Sequence, residues 1–300
     1  MSDTMWRDGD VQATLRSFNR AHTRRIGVLD DSFLETGRPL AQARLLFEIG
    51  PSSASVLALR RRLGLDSGYL SRLLRELERD ALVIVDADPD DRRRRIAKLT
   101  TAGHAAWRDL DRRSDRLAAS LIEPLTERQR SRLDEAIATA DRLLRAATIT
   151  FEVVDPRSDD ALSAMTAYFD ELDLRFSEGF DPADTLVVDA PSMRGPAGSF
   201  VIARSDDQVV SCGGVQQHDL RTGEIKRMWV HTEWRGVGLG RRMLRRLERA
   251  VADAGYHRVI LDTNASLTEA ITMYERSGYR PIARYNENPY AMHWFEKYLD

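Results

Sequence analysis

The chain has 300 residues, 42% of them hydrophobic and 31% charged, with a net charge of −2 and a single cysteine. That length suffices for two domains with separate cores, and the cysteine count excludes an internal disulfide. No apolar run approaches the roughly 18 residues of a membrane span, and Asp3, Asp8 and Asp10 stand where a signal peptide would be basic and then apolar, so a cytoplasmic protein without membrane partners is expected. The six histidines form neither an H-E-x-x-H pattern nor a Cys/His cluster, and no metal is expected.

In chain order the first half reads as helical. Residues 9–34 carry Val11, Leu15, Phe18, Ile26, Leu29 and Phe33 at spacings that predict one long helix. Helices are predicted over 39–49 and 53–63, the latter closed by Gly64, and Asp66 caps a fourth running to about Asp80, so the last two make a helix-turn-helix candidate. On the fourth, Leu70, Leu73, Leu74 and Leu77 form the core stripe. Ser67, Tyr69, Ser71, Arg72, Arg75 and Arg79 lie elsewhere, either as a solvated face or as groups that reach bases and phosphates. A hairpin follows: Leu82 to Val85, a polar turn over 86–91, then Arg92 to Arg95 leading into Ile96 to Leu99. Long helices over 101–120 and 126–145 complete this half, and Thr126 with Gln129 makes a capping box.

Charge agrees with that division. Residues 1–145 hold 27 Lys+Arg against 23 Asp+Glu, and the remainder 18 against 24, so only the first half is expected to meet a polyanion. The arginine-tipped hairpin, with Asp91-x-Arg93 and then Leu99-Thr100, resembles the wing of MarR-family winged-helix regulators, as does the order of elements from about residue 8 to 146. The resemblance implies double-stranded DNA as partner, with Ser67, Tyr69, Ser71 and Arg72 reading the major groove, Arg75 on the same helix, and Arg93 at the minor groove with Asp91 orienting the wing. It also implies a homodimer held by the first and last helices, with Leu133, Ile137 and Leu144 beside Ala136 and Ala140 in the seam. Ala81 stands where many members have glycine. A left-handed cap there costs alanine about 1 kcal/mol, which predicts a different helix end.

The second half, from about 147, alternates strands and helices. A β run over 149–154 is followed by an amphipathic helix, 158–176, with Leu162, Met165, Phe169 and Leu172 on one side; strands are predicted over 199–204, 209–217 and from Glu224 to Val230. Arg235-Gly236-Val237-Gly238-Leu239-Gly240 then fills a strand-to-helix turn, and Leu239, Met243, Leu244, Leu247 and Val251 stripe the next helix. Glycines bring backbone N–H groups close to a ligand at the positive end of a helix, which is an anion site and most naturally a diphosphate site. Further on come a strand over 258–262, a helix over 268–277 capped by Gly278, and strands near 281–285 and 291–295.

Arg235, Gly238 and Gly240 resemble, position for position, the acetyl-CoA loop of the GNAT acyltransferase superfamily, and the element order from 148 to 298 is similar to that fold, an α/β domain with a mixed, mostly antiparallel sheet. The resemblance implies acetyl-CoA as co-substrate, pantetheine along Met228, Trp229 and Val230, and diphosphate on the N–H groups of Arg235 to Gly240. It gives Tyr274 as donor of the thiolate proton, or else as a residue that merely packs on the cofactor. Asn264 bonds the pantetheine amide or caps the following helix. Glu224 faces the amine as general base, with His218 or a water relay as alternatives. Cys212 reads as core, since direct transfer needs no acyl-enzyme. The expected protein is a bifunctional transcriptional regulator and N-acetyltransferase acting on a small amine; the alternative is a regulator whose second domain senses acyl-CoA or an amine without catalysis.

Overall fold

Capping side chains and left-handed residues set the helix ends of the first unit. In the computed structural model, which describes residues 8–89, 91–181, 191–206 and 208–299, the chain divides into two compact units, 1–132 and 133–300. Helix α1 spans Asp8–Arg25, shorter than its periodicity predicts, because Gly27 adopts φ +67 and leaves the right-handed helix. Leu34 and Glu35 are also left-handed, and the Arg113 guanidinium fastens that turn by donating to both carbonyls at 3.1 Å. Helix α2 (Leu40–Ile49) follows Pro39. Strand β1, Ala54–Ser55, delays helix α3 to Val56–Leu63; the Ser55 hydroxyl accepts from Ala58 N–H and Gly64 closes the helix at φ +63.

Helix α4, Ser67–Arg79, begins where the Asp66 carboxylate accepts from Tyr69 N–H at 2.9 Å. All four leucines of its stripe are buried, packing with Leu45, Leu46 and Leu59. Strands β2 (Val83–Ala87) and β3 (Arg95–Leu99) form the antiparallel hairpin, with β1 added along β3. Helix α5 is Thr101–Ile122. Helix α6, Glu127–Ala147, opens on the reciprocal box: Thr126 N–H donates to Gln129 Oε1 at 2.9 Å and Gln129 N–H to Thr126 Oγ1 at 3.3 Å.

The α4 end corrects the sequence reading. Ala81 does take the left-handed conformation, φ +56, while Leu82 N–H returns to the Leu77 carbonyl at 2.9 Å and the Thr100 hydroxyl donates to the Ala81 carbonyl at 2.6 Å. Those bonds and the buried Leu82 hold a backbone that alanine disfavours.

In the second unit, seven strands form one sheet: β4 (Thr150–Val154), β5 (Ser199–Ser205), β6 (Gln208–Gln217), β7 (Thr222–Val230), β8 (Arg258–Thr263), β9 (Arg280–Pro281) and β10 (His293–Tyr298). Their order is β4-β5-β6-β7-β8-β10-β9, and every pairing is antiparallel except β7 with β8. Alternation along β5 divides the core. Phe200 and Ile202 face helix α7, Asp159–Arg175, with Met165, Phe169 and Leu172; Val201 and Ala203 face helix α8, Leu239–Asp253, with Met243, Leu244 and Leu247. Helix α9 is Thr268–Arg276, with Gly278 at φ +88 just beyond it.

Three expectations are adjusted here. Leu162 is 40% exposed, and Ala161 and Ala164 take the inner face of α7. Strand β7 starts at Thr222, two residues early, because Thr222–Glu224 pairs with β8. Of the predicted strand near 281–285 only Arg280–Pro281 pairs, the remainder forming a loop whose polar groups are used in the site below.

Replacing Ala81 by glycine removes the Cβ conflict while keeping the backbone bonds. We expect A81G to stabilise the first unit by about 1 kcal/mol, seen in scanning calorimetry of the full chain as a higher midpoint for the first unit's transition alone.

Candidate functional site

The sheet of the second unit opens along its middle. Strands β7 and β8 pair over Thr222–Glu224 and Arg258–Ile260, and past those residues the described partners of β7 lie on β6 and those of β8 on β10. Opposite the opening, Gly213 of β6 faces both Arg227 and Met228, a bulge in which Arg227 adopts φ +54. Two cavities line the split. One, about 670 Å³, reaches Glu224, Lys226, Asp262, Tyr285 and Tyr290; the other, about 500 Å³, reaches Glu171, Met228 to Val230, Arg235, Gly236 and Gly238 to Arg241. They share Tyr168, Leu172, Met228, Leu267, Ala270 and Tyr274.

The glycine turn forms one end of the smaller cavity. Gly236 and Gly238 both sit at φ +80, and a Cβ on either would meet nothing within 4 Å, so the backbone faces open space. Helix α8 starts at Leu239, leaving the N–H groups of its first turn directed outward. Arg235 corrects the expectation that its N–H joins a cradle: that N–H donates to the Thr232 carbonyl at 3.2 Å, and its guanidinium braces the turn against the Val230 carbonyl and the Glu171 carboxylate. Trp229 Nε1 donates to the same carboxylate at 2.9 Å, and Arg175 joins it to Glu269. Burial opposes the Glu171 charge, but hydrogen bonds from Arg235 and Trp229 outweigh it and hold the carboxyl below its ordinary range. Neither Glu171 nor Arg175 carried a sequence signal; they lie far from the loop in the chain and meet it through the fold.

In the larger cavity two carboxylates share one ammonium. Lys226 Nζ on β7 lies 2.7 Å from Glu224 and 3.1 Å from Asp262 on β8, spanning the split. Glu224 also accepts from Tyr285 Oη and Gln216 Nε2, each at 2.8 Å, and Asp262 accepts from Asn286 at 3.1 Å and Asn288 at 2.7 Å. Burial acts against the Lys226 charge, yet Asp262 and Glu224 more than offset it and its pKa is raised. Burial likewise raises Asp262, and Lys226, Asn288 and Asn286 reverse the sign, leaving it below the usual carboxylate range. His218 is exposed at the rim, its ring edge-on to Tyr285. Sequence reasoning missed Lys226, Asp262 and Tyr285, although a lone aspartate in the apolar run Val259-Ile260-Leu261-Asp262 was the available signal.

Tyr274 is buried on α9 where the cavities meet. Burial, with the nearby Asp262 charge, pushes its phenol well above the ordinary value, so the hydroxyl keeps its proton. Asn264 departs from both of its expected uses. Its Nδ2 donates to the Tyr290 carbonyl at 2.7 Å and its Oδ1 accepts from Ser266 N–H at 2.9 Å, while Leu267 occupies the N-cap of α9. Cys212 is fully buried, its thiol pushed up to about 12 by that burial, which suits a core residue and not a nucleophile.

On the first unit, Ser67, Arg72 and Arg75 are exposed along α4, whereas Tyr69 and Ser71 are half-buried. The Arg72 guanidinium lies 4.9 Å over the Tyr69 ring. At the hairpin tip Asp91 accepts from Arg93 N–H at 3.1 Å and pairs with Arg94, which shapes the turn and leaves Arg92 to Arg95 exposed.

Comparison with known proteins places both units. A family model for the acetyltransferase (GNAT) family matches residues 165–279, and one for the MarR family matches 36–94. The chain is 31% identical over 110 residues to YsnE, an uncharacterised N-acetyltransferase of Bacillus subtilis strain 168, across 35% of this chain and 73% of that protein. It is 27% identical over 140 residues to an IAA acetyltransferase of Azospirillum brasilense, across 45% of this chain and 92% of that one. Among solved structures, the reduced form of MarR from E. coli aligns with 42% of this chain and 93% of its own, at 24% identity and a TM-score of 0.37.

The bridge across the split supplies a stability test. Lys226→Met leaves Glu224 and Asp262 without their cation and is expected to cost about 3 to 5 kcal/mol near neutral pH. Because Asp262 is held low in the folded state, its pairing contributes above the unfolded carboxylate value of about 3.9 and is lost as pH falls through the lower folded value. The gap between wild-type and K226M urea midpoints should therefore narrow as the buffer moves from about pH 7 toward pH 4.

Proposed function

The chain belongs to the GNAT acetyltransferase family and carries a MarR-family winged-helix unit ahead of it, and from this we propose a DNA-binding regulator that is also an acetyl-CoA-dependent N-acetyltransferase for a small amine. One observation carries the enzymatic reading: a cavity ending at a glycine turn and a cavity floored by carboxylates meet at a buried, protonated tyrosine.

The residues present fit acetyl-CoA. Open space over Gly236 and Gly238 suits a diphosphate on the N–H groups of Gly236, Val237, Gly238, Leu239 and Gly240. The freed edge of β7 at Met228, Trp229 and Val230 offers backbone groups to a pantetheine chain, and Arg235 keeps the turn in register. When bound, acetyl-CoA supplies an acyl thioester open to attack by an amine. Glu224 takes a proton from the incoming ammonium, directly or through water, and Tyr274 gives its proton to the departing sulfur. Lys226 and Asp262 hold both strands while this happens. Backbone donors at the bulge polarise the carbonyl without reorganising.

For the first unit, exposed arginines on α4 and at the hairpin tip favour the DNA reading, with Ser67, Arg72 and Arg75 toward the major groove and Arg93, positioned by Asp91, at the minor groove. Tyr69 and Ser71 stand beside them, Tyr69 supporting Arg72. Val11, Leu15 and Phe18 of α1 and Leu133, Ile137 and Leu144 of α6 are all exposed, which favours a homodimer through these helices. We take the working boundary between the two activities at 146/147, near the end of α6.

Two measurements test these assignments. Tyr274→Phe keeps the ring and removes the proton, so thiol release should fall by about 10² to 10⁴ while acetyl-CoA affinity stays as in wild type. Equal turnover in both would remove Tyr274 as the acid; no turnover in either, with DNA affinity that responds to acetyl-CoA, would make the second unit a sensor. Arg93→Ala should weaken binding to duplex DNA and lower the salt slope by about 1 in a titration series. An unchanged slope would take Arg93 off the phosphates.

A further inference from the structure

The larger cavity has a second wall that the chemistry above does not use. Phe176, Phe180 and Tyr290 meet there with centroids 4.8 to 5.9 Å apart, beside Leu172 and Leu267. Phe180 also stacks on Phe169 at 5.4 Å, so its faces are taken by other rings and the corner presents apolar edges to the cavity. Tyr290 is tied in place twice, by Asn264 donating to its carbonyl and by its N–H donating to Asn288 Oδ1 at 3.1 Å.

The same short segment reaches the acidic floor. Asn288 donates to Asp262 at 2.7 Å, and two residues later Tyr290 forms part of the aromatic corner. Two residues of chain span at most about 7 Å, so floor and wall are separated by the reach of a short tether. On the floor, Glu224 and Asp262 share Lys226, and the trio keeps one negative charge in a half-buried place, which attracts an ammonium. Arg227 also borders the cavity with its guanidinium 4.9 Å over Phe169.

We propose, resting on the acetyltransferase reading, that the acceptor is a primary amine joined by a short tether to an aromatic or comparably large apolar group, its ammonium at Glu224 and its apolar body against Phe176, Phe180 and Tyr290. A small amine leaves the corner wet. A polyamine brings a second ammonium against an apolar wall, and a lysine side chain brings four methylenes where a ring would fill the space.

The test uses the full chain with four acceptors, namely 2-phenylethylamine, phenylalanine, ethylamine and spermidine. By steady-state thiol release, one of the two aromatic amines should exceed ethylamine and spermidine in kcat/KM by at least about tenfold; phenylalanine in the lead would add a carboxylate contact at Arg227. Spermidine or ethylamine in the lead overturns the proposal and leaves the transferase intact. Calorimetry of the same amines with the protein saturated in CoA needs no turnover. A tenfold preference for an aromatic amine there, without transfer to any amine, keeps the acceptor class and sinks the enzyme; equal binding of 2-phenylethylamine and ethylamine sinks the acceptor class. Phe176→Ala should lower the 2-phenylethylamine to ethylamine ratio about tenfold, and an unchanged ratio contradicts the wall.

Discussion

Lys226 on β7 and Asp262 on β8 are joined at 3.1 Å across the place where their strands have stopped hydrogen-bonding to each other. A sheet interior is ordinarily closed, because each buried backbone N–H and C=O requires a partner. Here the two strands leave those groups for something else and a side-chain bridge takes over part of the joining. Desolvating such a pair is costly, and it persists because Glu224, Asn286 and Asn288 complete its bonding. The rest follows from the opening: one cavity on each side, Tyr274 between them, the glycine turn at the far end of β7 and the loop from Asn286 to Tyr290 over the floor.

The Glu171 cluster does related work at the other end. By accepting from Arg235 and Trp229 together, one carboxylate on α7 fixes the turn's first residue and the strand before it. Placing an acid close to a proposed diphosphate site makes sense electrostatically because the Arg235 guanidinium stands with it and offsets its charge.

How much of this was legible depends on the range of each interaction. Glycines at 236 and 238 declare themselves because few other residues accept φ +80, and Asp66, Ser55 and Thr126 declare helix starts through bonds three residues long. The α8 stripe was legible for the same local reason. The end of α1 was not, since Gly27 sits inside an otherwise periodic run, and Ala81 was misjudged because long-range support at Thr100 outweighs a local preference. Lys226 and Asp262 are 36 residues apart, and Glu171 and Arg235 are 64 apart, so neither pair leaves a local pattern. Asn264 shows the reverse: its position at a strand end was read correctly, but its bonds go to Ser266 and Tyr290.

The central claim is that a backbone cradle at the glycine turn and a freed strand edge together grip acetyl-CoA. Calorimetric titration of the full chain with acetyl-CoA and, separately, with acetyl-pantetheine, which keeps the thioester arm and lacks the nucleotide diphosphate, tests it most directly. Charge-assisted bonds to the diphosphate should make acetyl-CoA tighter by about a hundredfold or more, with an advantage that shrinks as salt rises. Equal affinity for the two would contradict the account.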